Sequence, residues 1–262
     1  MERASLGWSP EGADDLTFFN DLMTYLRFKS RYALSVLLNP DVFLYENIRI
    51  PLGSSPVLQA RRRDFYRGLH ERGEMETIRH LIRPDDVVLE LGSGLGIVST
   101  FIAQRLSDSR NLHTFEANPE LLGPIRSVFE ANKVSPNLHN TAVGEEDGFR
   151  DFFFNENNLS SSTHRRDGAA KSELVATASM SRLLREIRPT FVVFDVEGAE
   201  AEIFKVPIPS EVRVLCGEVH PNIIGDDGVS TVIRRILDSG FDFIADRSCG
   251  RMVAFARPAS QS

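Results

Sequence analysis

Cysteine is scarce: Cys216 and Cys249 are the two thiols in 262 residues. Their placement offers neither a disulfide framework nor a metal-finger spacing, so reduced thiols in a cytoplasmic protein are expected. Positive charge is also short. Thirty Lys and Arg against 37 Asp and Glu leave a formal net charge of −7, which argues against a broad electrostatic grip on nucleic acid. No apolar run approaches the length that spans a bilayer. Met1 to Ser5 lacks a basic stretch followed by an apolar one, so no secretory signal is expected. What is present, 42% hydrophobic and 26% charged residues, suits one α/β domain with an extension.

From Val87 onward strand and helix patterns alternate. Strands are expected at Val87–Leu91, Leu112–Glu116, Leu138–Val143 and Phe191–Asp195, then at Val212–Val219, Phe241–Ala245 and Met252–Ala256. Helices are expected at Ile97–Leu106, Glu120–Asn132, Ser179–Ile187 and Ser230–Ser239. Repeated β-α units imply a mostly parallel sheet with helices on both faces. Residues 1–60 are expected as an N-terminal helical extension, 61–258 as the catalytic domain and 259–262 as a tail. Between residues 13 and 40, Leu16, Phe19, Leu22, Met23 and Leu26 recur at helical spacing among Arg27, Lys29 and Arg31. Such a helix packs on its own domain, on a dimer partner or on a membrane surface; the interleaved Asp14, Asp15 and Asp21 favour the first two. Phe152 to Lys171 has no periodicity and reads as a long polar loop, of the kind that forms lids over substrates.

Glu90-Leu91-Gly92-Ser93-Gly94-Leu95-Gly96 closes the first of these strands. Glycines there let the backbone turn tightly and approach a ligand. The spacing excludes two common readings. A dinucleotide fingerprint needs its third glycine where Ile97 stands, and no Lys-Ser/Thr pair follows for a phosphate loop. Glu90 would repel a pyrophosphate and suits a ligand with a cationic end. Glu116, at the end of the next strand, can accept hydrogen bonds from both ribose hydroxyls. Together they describe a nucleoside cofactor without a diphosphate.

These residues and Phe194-Asp195-Val196-Glu197-Gly198-Ala199-Glu200 resemble the FkbM family of methyltransferases. Further matching pieces are Gly68-Leu69-His70-Glu71, Phe115-Glu116-Ala117-Asn118-Pro119, Ala142-Val143-Gly144 and Glu218-Val219-His220-Pro221. The resemblance implies a class I methyltransferase fold, a seven-stranded sheet with an antiparallel last strand, and S-adenosylmethionine as methyl donor. It carries donor binding onto Glu71, Glu90, Gly92, Ser93, Gly94, Gly96, Glu116, Ala117, Asn118, Ala142, Val143 and Asp195. The chain departs from the family where Val193 replaces a lysine, Ser181 an aspartate and His70 a tyrosine. Methyl transfer to oxygen is implied, with a saccharide or natural-product hydroxyl as acceptor. N-methylation, a non-catalytic module of the same fold and a dehydrogenase are the rivals.

Candidate catalytic residues cluster at two strand ends. Asp195 and Glu197 are two apart, as are Glu218 and His220. His220 is the expected general base, since imidazole titrates near neutrality, with Asp195 or Glu218 positioning it or the acceptor. Glu197 and Glu200 serve equally well as carboxylates at a helix start. The same four residues, Asp195, Glu197, Glu218 and His220, could ligate a divalent metal, but no spacing requires one. His70, Glu71 and Glu74 are expected on one helix, facing either the cofactor or solvent. His80, His113 and His139 read as structural.

Overall fold

The computed structural model describes residues 32, 37–38, 40–67, 71–155, 158–162 and 171–258. The amphipathic segment 13–40 and His70 fall almost wholly outside them, so the dimer and membrane-surface readings concern residues not described.

The described chain begins with a hairpin where helix was expected. Strands β1 (Phe43–Tyr45) and β2 (Ile48–Ile50) pair antiparallel across Glu46 and Asn47, both at positive φ, the geometry of a tight two-residue turn. Three helices follow: α1 (Pro56–Ala60), capped by Ser55, then α2 (Arg62–Arg67) and α3 (Arg72–Leu81). Phe43, Ile48, Ile50 and Leu58 are buried in the same core cluster as the central sheet.

That sheet has seven strands in the order β5 (Asn137–His139), β4 (Leu112–Phe115), β3 (Val88–Leu91), β10 (Phe191–Phe194), β11 (Val214–Glu218), β13 (Met252–Ala256) and β12 (Asp242–Phe243). The first five run parallel, and β13 is antiparallel to both neighbours. Burial on both faces explains the continuous apolar runs. Val88, Val193 and Cys216 face one core cluster, together with α4 (Ile97–Ala103) and α5 (Leu122–Asn132). Leu89, Val192, Phe194 and Leu215 face the other, against α6 (Met180–Ile187), α7 (Glu200–Ile203) and α8 (Pro221–Asp238). The chain leaves β3 toward β4 on one side and returns to β10 on the other. Strand order therefore reverses at the end of β3, which is where such sheets bind ligands.

Four expectations are corrected. The strand expected at 138–143 is two strands in two sheets: β5 ends at His139, and β6 (Ala142–Gly144) starts another. The break occurs because Asn140 Nδ2 and Thr141 N both donate to Glu116 O, at 2.9 and 3.1 Å, turning the chain across the end of β4. The region expected as a polar loop from Phe152 contains strand: β7 (Gly148–Asn155), β8 (Asn158–Ser162) and β9 (Lys171–Ser179) join β6 in a four-stranded sheet ordered β6-β9-β7-β8. The last long helix begins at Pro221 rather than Ser230 and kinks at Gly225, where φ is 71°. Glu71 is not helical; it sits at φ 50° immediately before α3. Among the described residues no helix is long and apolar enough to cross a membrane.

Candidate active site

The glycine turn is held by backbone bonds before any ligand is considered. Gly92 N and Ser93 N both donate to Phe115 O, at 2.9 and 3.1 Å, binding the end of β3 to the end of β4. A Cβ on Gly92 would stand 2.0 Å from Asp195 O, so only glycine lets β3 and β10 close here. Gly94 N donates to Glu116 Oε2 at 3.0 Å and Asn118 N to Oε1 at 2.7 Å. One carboxylate thus shapes both turns. Burial pushes Glu116 up to about 7, against the backbone bonds that favour its charge. Each of its oxygens retains a lone pair for a ligand hydroxyl.

A cleft of about 100 Å³ opens above this turn. Its floor is Gly92 and Gly94, one edge is Glu116, and Ala117, Ala142, Val143 and Phe152 make an apolar slot. Asp195, Glu197 and Ala199 close the opposite end. A smaller chamber of about 20 Å³ lies on the other side of Gly92 and Gly94 and also reaches Asp195. Its carboxylates are Glu71, Glu74, Glu90 and Asp195, and among the described residues no basic side chain lines it. Glu90 is buried; Ser99 Oγ donates to Oε2 at 2.5 Å while Oε1 has no hydrogen-bond partner. Burial pushes Glu90 up to about 7. Glu74, buried rather than solvated, lies well above the usual carboxylate range through burial and the charges of Asp195, Glu71, Glu218 and Glu90. Both shifts run in the direction that burial imposes on a carboxylate, toward the neutral form.

The third group lies beside Asp195, around His220. His220 is buried at the N-cap of α8, with Nδ1 2.5 Å from Glu200 Oε1. Its Nε2 is 3.4 Å from Asp195 Oδ1 and 3.9 Å from Glu197 Oε2. Burial works against the imidazolium, but the Glu200 bond and the charge of Asp195 outweigh it and raise His220 above its usual 6.5. Asp195 is pushed up to about 7, chiefly by burial, with His220 lowering it and Glu218 and Glu197 raising it. Glu218 pairs with Arg251 Nη2 at 2.6 Å, so the carboxylate that orients the imidazole is Glu200 rather than Glu218. Asp195, Glu218 and His220 each place one candidate ligand atom within 4.8 Å of the others.

The structure brings together most of the residues expected from sequence. Glu71, Glu90, Gly92, Ser93, Gly94 and Asp195 line the acidic chamber; Glu116, Ala117, Ala142 and Val143 line the cleft. Gly96, Asn118, Glu218 and His220 line neither cavity. A Cβ on Gly96 would stand 3.1 Å from Ile125 Cγ2, so that glycine lets α4 pack on α5. Asn118 Oδ1 accepts from Glu120 N at 3.0 Å and caps the following turn. Sequence reasoning missed Phe152, Thr141, Val196 and Ala199 in the cleft, and left Glu200 as a helix-start carboxylate. Only β7's pairing with β9 brings Phe152 to the cleft, and no local pattern carries that.

A seven-stranded sheet of this order, with a glycine turn at the reversal and Glu116 at the end of the next strand, is the Rossmann-like fold of class I methyltransferases. The family model of the methyltransferase FkbM domain matches residues 88–250. The chain belongs to that family. No curated protein matches it. Among solved structures it is similar to the precorrin-6y C5,15-methyltransferase of Geobacter metallireducens GS-15, at 15% identity and TM-score 0.42, over 72% of this chain and 88% of that one. It is also similar to Bacillus cereus O-methyltransferase in complex with SAH, at 13% identity and TM-score 0.37 over 90% and 91%. Fibrillarin of Aeropyrum pernix with bound S-adenosyl-L-methionine gives 10% identity and TM-score 0.38 over 66% and 67%.

Proposed function

We propose that the protein transfers the methyl group of S-adenosylmethionine to a hydroxyl oxygen of a saccharide or natural-product acceptor. One observation carries the reading: an apolar slot and an all-acid chamber meet across Gly92 and Gly94, with Asp195 at their junction. A nucleoside with a cationic amino acid end divides between two such cavities; a dinucleotide, with its pyrophosphate, does not. The unpartnered Oε1 of Glu90 fits the same ligand.

S-adenosylmethionine supplies a methyl group on cationic sulfur, already electrophilic without further activation. Everything else falls to the chain. Glu116 accepts hydrogen bonds from the ribose, while Ala117, Ala142, Val143 and Phe152 flank the base. Glu71, Glu74 and Glu90 receive the ammonium. The protein's main catalytic work is to align an acceptor oxygen behind the methyl carbon and exclude water. Asp195, Glu197 and Glu218 line the acceptor side, and His220 Nε2 takes the hydroxyl proton. A divalent ion on His220, Asp195 and Glu218 would occupy that same nitrogen, so the reading uses none. The two thiols and the acidic net charge suit a cytoplasmic enzyme of small acceptors.

Calorimetric titration tests the donor. S-adenosylmethionine and S-adenosylhomocysteine are expected to bind, NAD⁺ not to, and Glu116→Ala to weaken binding at least about tenfold, or roughly 1.4 kcal/mol. Binding of NAD⁺ but not of either sulfur nucleoside, or of none of them, defeats the reading. Tight donor binding with no transfer to any hydroxylated acceptor favours a non-catalytic module.

A further inference from the structure

We propose that Glu200 is a positioning residue for His220, locking its ring in one tautomer and steadying the charge it gains from a hydroxyl acceptor. This rests on the methyl-transfer reading above and deepens it by naming the group that orients the base.

The geometry is set by two helix starts. Glu200 begins α7, is fully buried, and its Oε1 accepts from Gly198 N at 3.3 Å. His220 immediately precedes α8. The two meet because Gly198, at φ 105°, has no Cβ: one there would stand 2.5 Å from Ile223 Cγ2 in the first turn of α8. Glu200 Oε1 consequently lies 2.5 Å from His220 Nδ1. A carboxylate only accepts, so Nδ1 carries the proton and the lone pair of the neutral ring is on Nε2. That nitrogen faces Asp195 Oδ1 at 3.4 Å, beyond a good hydrogen bond, and Asp195 in turn lines the cleft.

The arrangement is that of carboxylate, imidazole and hydroxyl in acyl-transfer triads, put to another reaction. The acceptor oxygen forms the new carbon–oxygen bond as the carbon–sulfur bond breaks, its electron pair neutralising the sulfonium. The hydroxyl proton passes to Nε2, leaving an imidazolium between Glu200 and Asp195.

Four carboxylates surround the ring: Glu200 from α7, Asp195 from the end of β10, Glu197 from the next turn and Glu218 from β11, the last paired with Arg251. Burial opposes the charged ring, and the Glu200 bond with the charges of Asp195 and Glu197 raises His220 in spite of it.

Nitrogen-15 NMR of histidine-labelled, S-adenosylhomocysteine-bound protein reads this directly. In the wild type, neutral His220 is expected as the Nδ1–H tautomer. In Glu200→Gln its pKa is expected to fall by about one unit or more and the tautomers to mix, with Glu200→Asp restoring part of both. Donor affinity should stay within about twofold. A wild-type His220 in the Nε2–H tautomer overturns the proposal even if neither variant folds. So does an unchanged titration in a folded Glu200→Gln. Zinc chloride that binds and shifts the Nε2 resonance also overturns it, because the ring is then a ligand. Wild type that fails to bind S-adenosylhomocysteine instead overturns the methyl-transfer reading.

Discussion

Two neighbouring glycines should fail in different ways when given a methyl group. Gly92 sits at φ 92°, and a Cβ there would lie 2.0 Å from Asp195 O and 3.0 Å from Asp195 C. A carbon approaches a carbonyl oxygen to roughly 3.3 Å, so β3 and β10 would have to part by roughly 1.3 Å. That separation runs through the Asp195 N to Leu91 O bond of 2.8 Å. Positive φ costs an L-residue about 1–2 kcal/mol, and overpacking a tight junction about 1–3 kcal/mol. The total for Gly92→Ala is about 2–5 kcal/mol, a large share of a domain's net ~5–15 kcal/mol. Gly94 differs. It sits at φ 54°, but the nearest atom to its Cβ is Glu71 Oε1 at 3.4 Å, an ordinary contact. Gly94→Ala therefore keeps the fold to within about 1–2 kcal/mol. Its methyl, however, would stand on the floor shared by cleft and chamber. Donor affinity should fall at least about tenfold. Thermal melts would show Gly92→Ala losing about 5–15 °C and Gly94→Ala a few degrees at most. Calorimetry of the folded Gly94 variant with S-adenosylmethionine reads the second effect. Equal melting losses, or wild-type donor binding by Gly94→Ala, would refute the reasoning.

Two further outcomes concern stability. Glu90 and Glu116 are both pushed up to about 7 from an ordinary 4.5. The folded, donor-free protein thus holds protons that the unfolded chain has released, and stability should decline as pH rises from about 4.5 to about 7. Urea midpoints at pH 5 and pH 8 check this; the decline should shrink in Glu90→Gln, and a midpoint that rises with pH contradicts it. At the opposite end of the sheet, buried Asp86 accepts from Thr190 Oγ1 at 2.7 Å, Arg83 N at 2.7 Å and the Arg213 guanidinium. Asp86→Ala strands that guanidinium and should cost about 3–5 kcal/mol in denaturant unfolding. Donor affinity below the midpoint should not change, and an affinity loss without a stability loss would speak against a structural role.

The sequence by itself determined the layered α/β class, the strand ending in Gly92, Gly94 and Gly96, and the pairing of that turn with Glu116. These are local properties: apolar runs with punctuating glycines, each strand buried on both faces. It also brought Asp195, Glu197, Glu218 and His220 into one candidate set, because ends of parallel strands lie at one edge of a sheet. Tertiary structure alone decided which of them touch. Glu200 meets His220 because two helix starts converge over Gly198. Spacing by twos along a strand instead suggested Glu218, which pairs with Arg251. Gly96 and Asn118 stand out by motif, and tertiary structure gives them packing and capping contacts as well, set by α5 and the turn after β4. Sequence left Glu74 facing either solvent or the cofactor; the closing of α3 over the sheet buries it beside Glu90. Phe152 reaches the cleft through long-range pairing of β7 with β9, a contact that no window of neighbouring residues encodes. Local sequence sets where the chain turns; which side chains share a cavity depends on packing between segments far apart in it.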